Sequence, residues 1–419
     1  MIFQLVGNLS DFLRNFLKNK GHFVFGSLLI AKICGFIGSV VIIRLLPEKD
    51  FGLISIVASL FAVFFAFSGF GSQQILLRYG SIVKTEEEKN KLSSYLLKQG
   101  FFYQILLSVI FLVASLFYLD KFEKIICLFM AFAIRLIGYF FYNHIQSQLR
   151  ISGKNKEFAR LNNIVNISGL LLIIILTYFF GIMGYLIALV LAPFTALFWF
   201  KDINLSLDTD IGFPRKELWK YGLFTAGTAV LSDALFSLDI ILMGFLMTES
   251  SVADYKAAIL IPSNLTFIAL TFMQSDFPEL AKNHNDKKFL SYYISNYYKI
   301  FIPLCVAIFG VLYFLKDDIV VLFFGEKYKG IEPAFIILTS AFLLNMLLRN
   351  LYGNLLSAVG KMEYNTIISA LALVILLGLS LVLVPKYGVE GMAIAQSVTL
   401  LTTGLLLMSG FFSYIRKLS

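Results

Sequence analysis

The stretch GHFVFGSLLIAKICGFIGSVVIIRLLPEKDFG, residues 21–52, decides how the rest of the chain is read. Its apolar portion, 23–46, is long enough to cross a bilayer, which takes about 20 residues of helix. Yet it carries Lys32 near its middle and Arg44 near its end. A cation at such a depth costs on the order of 2.5–3.5 kcal/mol on insertion scales, so a polar interior must compensate it. A cationic interior in turn suits an anionic cargo.

The composition agrees with a membrane setting. Of the 419 residues 58% are hydrophobic and only 15% charged, a balance that excludes an ordinary soluble globule. Cys34, Cys127 and Cys305 each lie in an apolar run without a neighbour at ligand spacing, so no disulfide framework or metal site is read. No Gly-rich loop ending in Gly-Lys-Ser/Thr is present to cradle phosphates, and the longest polar loops hold no catalytic constellation. The chain therefore reads as neither an ATP-driven pump nor an enzyme, and no cofactor is expected. Leu5, Leu9, Phe12, Leu13, Phe16 and Leu17 recur at helical spacing, with Arg14, Lys18 and Lys20 toward the end. Residues 1–20 are thus expected to be a retained amphipathic segment in the headgroup region, not a cleaved signal peptide.

Apolar runs between polar breaks place spans near 22–46, 52–77, 95–119, 125–148, 161–180 and 182–200, then near 218–247, 255–275, 291–315, 331–353, 364–384 and 389–413. All are expected to be helices, because open strands leave backbone groups unsatisfied in hydrocarbon. Ser152-Gly153-Lys154 after the fourth span is matched by Val359-Gly360-Lys361 after the tenth. At the same offset, Gly181-Ile182-Met183-Gly184-Tyr185 is matched by Gly388-Val389-Glu390-Gly391-Met392. The expected fold is an all-α integral membrane protein of about twelve transmembrane helices in two pseudo-symmetric six-helix bundles. The N-lobe is 21–200, the cytoplasmic linker 201–216 and the C-lobe 217–419. Lys and Arg concentrate in the termini and the even-to-odd loops, for example Lys84, Lys89, Lys91, Arg150, Lys154, Lys156 and Arg160. The opposite loops carry Glu48, Asp50, Asp317 and Asp318. Both termini are therefore expected to be cytoplasmic, and the net charge of +9 needs no nucleic-acid partner.

Charges inside the spans are informative by sign. Lys32, Arg44, Arg78, Arg135 and Arg349 are cations, against Asp233 and Asp239 in the seventh span. Arginine and lysine offer charge-assisted donors to phosphates, whereas a cavity for lipophilic cations would be lined by carboxylates. Helical spacing puts Lys32 on a stripe with Gly35 and Ser39, and Arg135 with Tyr139, Tyr142 and Gln146. It puts Thr225, Thr228, Ser232 and Asp239 on one face, and Asn345, Arg349 and Tyr352 on another. The alternative is that these residues tie helices together, or that Lys32 pairs with Asp233 or Asp239. Arg44 and Arg78 sit near span ends and could instead snorkel to phosphate headgroups. His144 lies off the Arg135 stripe and reads as a packing residue.

These residues carry a resemblance. Arg44-Leu45-Leu46-Pro47-Glu48-Lys49-Asp50-Phe51-Gly52 resembles the Arg-x-Leu-Gly-Pro-x-x-Tyr-Gly turn of O-antigen-type polysaccharide repeat-unit flippases in the multidrug/oligosaccharidyl-lipid/polysaccharide exporter superfamily. Phe51 stands for the usual Tyr, and the Gly before Pro47 is absent. Asp239 to Gly244, followed by Tyr255, and Phe324-Gly325-Glu326-Lys327-Tyr328 resemble two further family segments. The resemblance implies two bundles around an inverted-V cavity, alternating access, and export of an oligosaccharide on undecaprenyl diphosphate from the cytoplasmic to the periplasmic leaflet of the bacterial inner membrane. Its expected partners are that anionic lipid-linked oligosaccharide, membrane lipids, a coupling proton or sodium ion at Asp239, and the polymerase and glycosyltransferases of the polymer pathway. Tyr139, Tyr142 and Tyr352 are placed to stack on sugars. A cation-coupled multidrug exporter and a peptidoglycan-precursor lipid flippase remain as alternatives.

Overall fold

The computed structural model describes residues 21–83, 85–119, 121–122, 125–202 and 211–418. The expected amphipathic segment 1–20 and residues 203–210 of the expected linker lie outside it, as do the side chains of Thr228, Ser232 and Asp233. The helices are α1 (Gly21–Leu45), α2 (Glu48–Ala66), α3 (Ser72–Ile82), α4 (Glu86–Val113), α5 (Ile125–Ile151), α6 (Asn155–Phe194) and α7 (Arg215–Leu246). They continue as α8 (Glu249–Lys282), α9 (Lys287–Phe314), α10 (Lys316–Phe324), α11 (Glu332–Asn345), α12 (Leu351–Ala358) and α13 (Met362–Arg416). No strand occurs among the described residues.

Local signals start these helices where water meets the chain. Thr85 accepts the Glu88 amide ahead of α4, whose first turn holds Glu86, Glu87 and Glu88. Asp286 accepts the Phe289 amide at 2.9 Å ahead of α9. Side-chain oxygens and first-turn acids of this kind satisfy the orphan amides and complement the helix dipole. Within the apolar segments, Ser39, Ser55 and Thr339 instead return their hydroxyls to carbonyls four residues back, which disposes of a polar group without a partner helix.

Nine helical segments among the described residues are long and apolar enough to cross a membrane, and the bent pair Arg215–Leu231 and Ala234–Leu246 adds a tenth. Two of the nine are too long to be single crossings. The segments Asn155–Phe200 and Met362–Arg416 contain 46 and 55 residues, or roughly 70 and 80 Å of helix, against a hydrocarbon core of about 30 Å. Each turns back on itself at one glycine, Gly181 (φ 57°, ψ −138°) and Gly388 (φ 55°, ψ −127°). That conformation is essentially closed to residues with a Cβ.

The reversal is visible in a second way. A Cβ on Gly184 would lie 1.8 Å from the Leu176 carbonyl oxygen, and one on Gly391 would lie 2.3 Å from that of Leu383. In a continuous helix residues eight apart are about 12 Å apart. Counting each reversing segment twice turns the ten crossings into twelve. The fold is thus an all-helical membrane protein with the expected number of crossings, and the glycine repeat read from the sequence marks equivalent turns.

Two compact units are formed. One comprises Met1–Leu46 with Phe61–Val230, the other Pro47–Leu60 with Leu231–Ser419, so the boundaries fall inside α2 and α7. In the first, Tyr142, Ile145, Leu149, Phe158, Leu161 and Val165 form one core cluster and Ile75, Leu76, Tyr79, Leu92, Leu96 and Leu218 another. In the second, one cluster among the described residues runs from Ala269 through Tyr297, Phe301, Met346 and Tyr352 to Phe411. Large apolar side chains such as Phe198, Val306 and Phe314 point outward, as a hydrocarbon-facing surface allows.

Candidate functional site

In the first unit the candidate centre is Arg135, half-buried on α5. Its guanidinium carbon lies 4.9, 5.6 and 5.1 Å from the ring centroids of Phe61, Phe132 and Tyr139. One amino nitrogen donates to the Tyr139 hydroxyl at 3.4 Å, while its Nε is buried without a partner. Aromatic faces stabilise a cation by about 0.5–2 kcal/mol each. Unlike a carboxylate, they do not cancel its charge.

Lys32 is exposed on α1, with Ser39 of its stripe bonded to the Gly35 carbonyl. Tyr142 departs from the expected polar stripe in its surroundings. It is buried and donates to Asn162 Oδ1, which also accepts from Gln146 and Asn166, while Asn162 Nδ2 donates to the Ser27 carbonyl at 2.8 Å. This knot ties α1, α5 and α6 together. Arg78 stacks on Tyr221, 4.5 Å from the ring centroid. Arg44 lines a groove of about 370 Å³ whose other walls are Val41, Leu45, Ile174, Ile175, Tyr178 and Phe179. His144 is buried and pairs with Ser93 at 3.0 Å.

In the second unit Arg349 lies on a single π-helical turn, Met346–Asn350, inserted between α11 and α12. Its guanidinium carbon is 5.8 Å from the Phe236 ring centroid, one amino nitrogen donates to Ser369 Oγ at 3.3 Å, and Nε has no partner. Asn345 is buried one turn earlier, with its amide nitrogen 3.4 Å from Asn350 Oδ1. Its own Oδ1 and the Asn350 amide nitrogen are left without partners. Tyr352 is buried and bonded to Tyr298 at 3.0 Å.

Asp239 is fully buried and accepts from the Tyr255 hydroxyl and the Ile240 amide, both at 2.8 Å. The expected polar face along the seventh span is not continuous, because the helix breaks between Leu231 and Ala234. Thr225 spends its hydroxyl on the carbonyls of Tyr221 and Gly222. Among the described residues no carboxylate pairs with Lys32, Arg135 or Arg349, whereas Lys89–Glu86, Lys91–Glu87, Arg160–Glu157 and Lys329–Glu326 form ion pairs at helix ends and in loops.

The motif segments turn out to be packing devices of the second unit. A Cβ on Gly52 would lie 1.8 Å from the Glu249 carbonyl oxygen, and one on Gly244 would lie 2.9 Å from Ile56. Glycine therefore lets α2 lie against the α7–α8 turn. Asp239 and Tyr255 of the second motif are the hydrogen-bonded pair above. Phe324 and Tyr328 of the third are fully buried around Gly325 (φ 96°). These turns surround a polar cavity of about 350 Å³ lined by Glu48, Asp254, Lys327, Lys329, Tyr387 and Glu390. In the loop, burial lowers the Lys327 ammonium and Glu48 opposes that shift.

Residues missed from sequence include Phe61, Phe236, Ser369, Tyr297 and Tyr298. Only the run Tyr292-Tyr293 and Tyr297-Tyr298 was a visible signal, and its spacing says nothing of a partner on another helix.

The glycine reversals, the count of crossings and the motif turns agree with a comparison of sequences. Residues 41–333 match the profile of a family described as polysaccharide biosynthesis protein. The chain belongs to this family. A Shigella flexneri protein provisionally named an O-antigen transporter is 27% identical over 201 residues, covering 46% of each chain. Among solved structures, an inward-facing multidrug-resistance MATE transporter of the MOP superfamily superposes with a TM-score of 0.71 at 17% identity, covering 93% of this chain and 95% of that one. A lipid II flippase in an inward closed conformation superposes with 0.70 at 19% identity, covering 93% and 87%. The chain is thus a multi-pass membrane protein of a polysaccharide-biosynthesis family, with the fold of the MOP transporters.

Proposed function

We propose that this chain carries an anionic, undecaprenyl-diphosphate-linked oligosaccharide from the cytoplasmic to the periplasmic leaflet of the bacterial cytoplasmic membrane by alternating access, with both termini cytoplasmic. One observation supports this above the others. Arg135 and Arg349 sit on membrane helices against aromatic rings and hydroxyls rather than carboxylates. Each keeps a net positive charge and a buried donor nitrogen without a partner.

Diphosphate oxygens supply what each lacks, since they accept charge-assisted bonds. Lys32 adds a third cation, exposed on α1. Tyr139, beside Arg135, and Asn345, whose Oδ1 has no partner, are the groups assigned to sugar hydroxyls, while Tyr142, Tyr352 and Asp239 already spend their polar atoms inside their units. An inside-negative potential favours outward passage of a negative head by about 2.3 kcal/mol per charge per 100 mV, so the gradient itself assists export.

The experiment replaces Lys32, Arg135 and Arg349 singly by Ala in cells dependent on this chain for a surface polymer. Each variant is expected to accumulate in the membrane while polymer export falls about ten-fold or more, the worth of one charge-assisted contact. Full export by all three defeats the proposal.

A further inference from the structure

The π turn at Met346–Asn350 is held from the side by another helix. Tyr297 on α9 donates its hydroxyl to the Met346 carbonyl at 2.9 Å, and Tyr298 lies 3.2 Å from the Leu347 carbonyl. Two turns along the same helix, Cys305 Sγ lies 3.9 Å from the Leu343 carbonyl. Three side chains of α9 thus address carbonyls in or just before the turn.

Their chemistry fits the geometry. Where an α ladder gives way to a π ladder the carbonyl-to-amide pairing slips, and carbonyls at the slip need outside donors. A buried carbonyl without one is costly. The Tyr298 hydroxyl is also 3.0 Å from that of Tyr352. With one proton on each hydroxyl, both contacts are satisfied when Tyr352 donates to Tyr298 and Tyr298 to Leu347. On another side, a Cβ at Gly404 of α13 would come within 2.8 Å of Leu348 Cβ and 3.2 Å of the Arg349 amide nitrogen, so the missing side chain makes room for the widened turn.

We infer that Tyr297 and Tyr298 are positioning residues for Arg349, holding the π turn that aims its guanidinium at Phe236 and Ser369. The inference rests on the reading of Arg349 as a contact for the anionic head. A helix advances about 100° per residue. If the extra residue of this turn were absorbed into an α ladder, Arg349 would swing about a quarter of the way round the axis. The two hydroxyls make that relaxation unfavourable, because it would leave the buried Tyr297 hydroxyl without its acceptor and cost the Tyr298 hydroxyl its carbonyl.

The test uses the full chain in lipid nanodiscs, with a prenyl diphosphate carrying one N-acetylhexosamine as the probe. Binding and its salt dependence are measured for Tyr298→Phe, Tyr297→Phe/Tyr298→Phe, Arg349→Gln and the triple variant, with thermal unfolding of each as control. Phenylalanine keeps the ring of Tyr297, which stacks on Phe301 at 4.2 Å. The tyrosine pair is expected to weaken binding about ten-fold, the worth of a buried hydrogen bond. Its salt dependence should fall to that of Arg349→Gln, and the triple variant should bind no more weakly than Arg349→Gln alone. Normal binding by the tyrosine pair beside a weakened Arg349→Gln overturns the inference and leaves the function standing. Losses that add in the triple variant also overturn it. Normal binding by Arg349→Gln overturns the inference together with the reading of Arg349 as a contact for the anionic head. Should the pair fail to accumulate in the membrane, Tyr298→Phe alone is judged by the same outcomes.

Discussion

Helix α5 of one unit and the α11–α12 segment of the other end alike and differ inside. Both stop at a glycine of positive φ, Gly153 (67°) and Gly360 (76°), and both precede a helical pair that reverses at one glycine. At the same spacing, however, Tyr142 stands opposite Arg349, and Arg135 opposite Phe342. One arginine sits two turns from its counterpart, in an unbroken helix among three rings. The other sits on a π turn against one ring and a serine. Turns are constrained by backbone geometry, which only glycine meets, so they stay equivalent. Helix interiors are constrained by neighbours, which differ between the units.

The shared frame is the part most easily broken. Gly184→Val and Gly391→Val each force a side chain into a carbonyl of the preceding helix, and each is expected to destabilise by about 3 kcal/mol or more. Loss of both proteins from the membrane, followed by quantitative blotting, is the expected result. Sensitivity at only one of the two glycines would show that the turns are not equivalent.

The unlike interiors predict a smaller effect of opposite sign. Arg135→Met and Arg349→Met remove an unneutralised cation from the hydrocarbon region, and should raise unfolding stability by about 1–3 kcal/mol while abolishing export. A fall in stability at either site would mean that its aromatic surroundings already compensate the charge in full. Disrupting the knot with Asn162→Ala should instead cost about 1–3 kcal/mol through the stranded Tyr142 and Gln146 groups, without changing the salt dependence of probe binding. The smallest change is expected for Asp239→Asn, whose Oδ1 can still accept from the Ile240 amide while its Nδ2 donates to the Tyr255 hydroxyl. Drug susceptibility of the host should not move, and a marked rise in susceptibility would favour the drug-exporter alternative.

Much of the fold was legible because lipid imposes hard conditions on sequence. Each crossing needs about 20 apolar residues, and a one-residue reversal needs glycine, so the crossings and Gly181 and Gly388 could be read directly. The types of residue at the candidate sites were legible for the same reason, since Lys32, Arg135 and Arg349 stand out against an apolar background. Their surroundings were not. Phe61, Phe236 and Ser369 look like ordinary span residues until other helices bring them to an arginine. The π turn depends on hydroxyls 49 residues away along the chain, beyond the reach of any local periodicity. The motif segments were recognisable but pointed to packing of α2, α7, α8 and α10, not to the arginines.

The reversals at Gly181 and Gly388 bear on how the chain enters the membrane during synthesis. A turn of one residue leaves no stretch of polypeptide in water on which the first helix could come to rest. The two helices of each pair must then be released into lipid together, as a hairpin. For the pair around Gly181, where Gly169 faces Ala192, this means that Asn162, Asn163 and Asn166 enter beside the wholly apolar run that ends the pair, Ala196 to Phe200. The second helix thus shelters the polar residues of the first until their partners on α1 and α5 close over them.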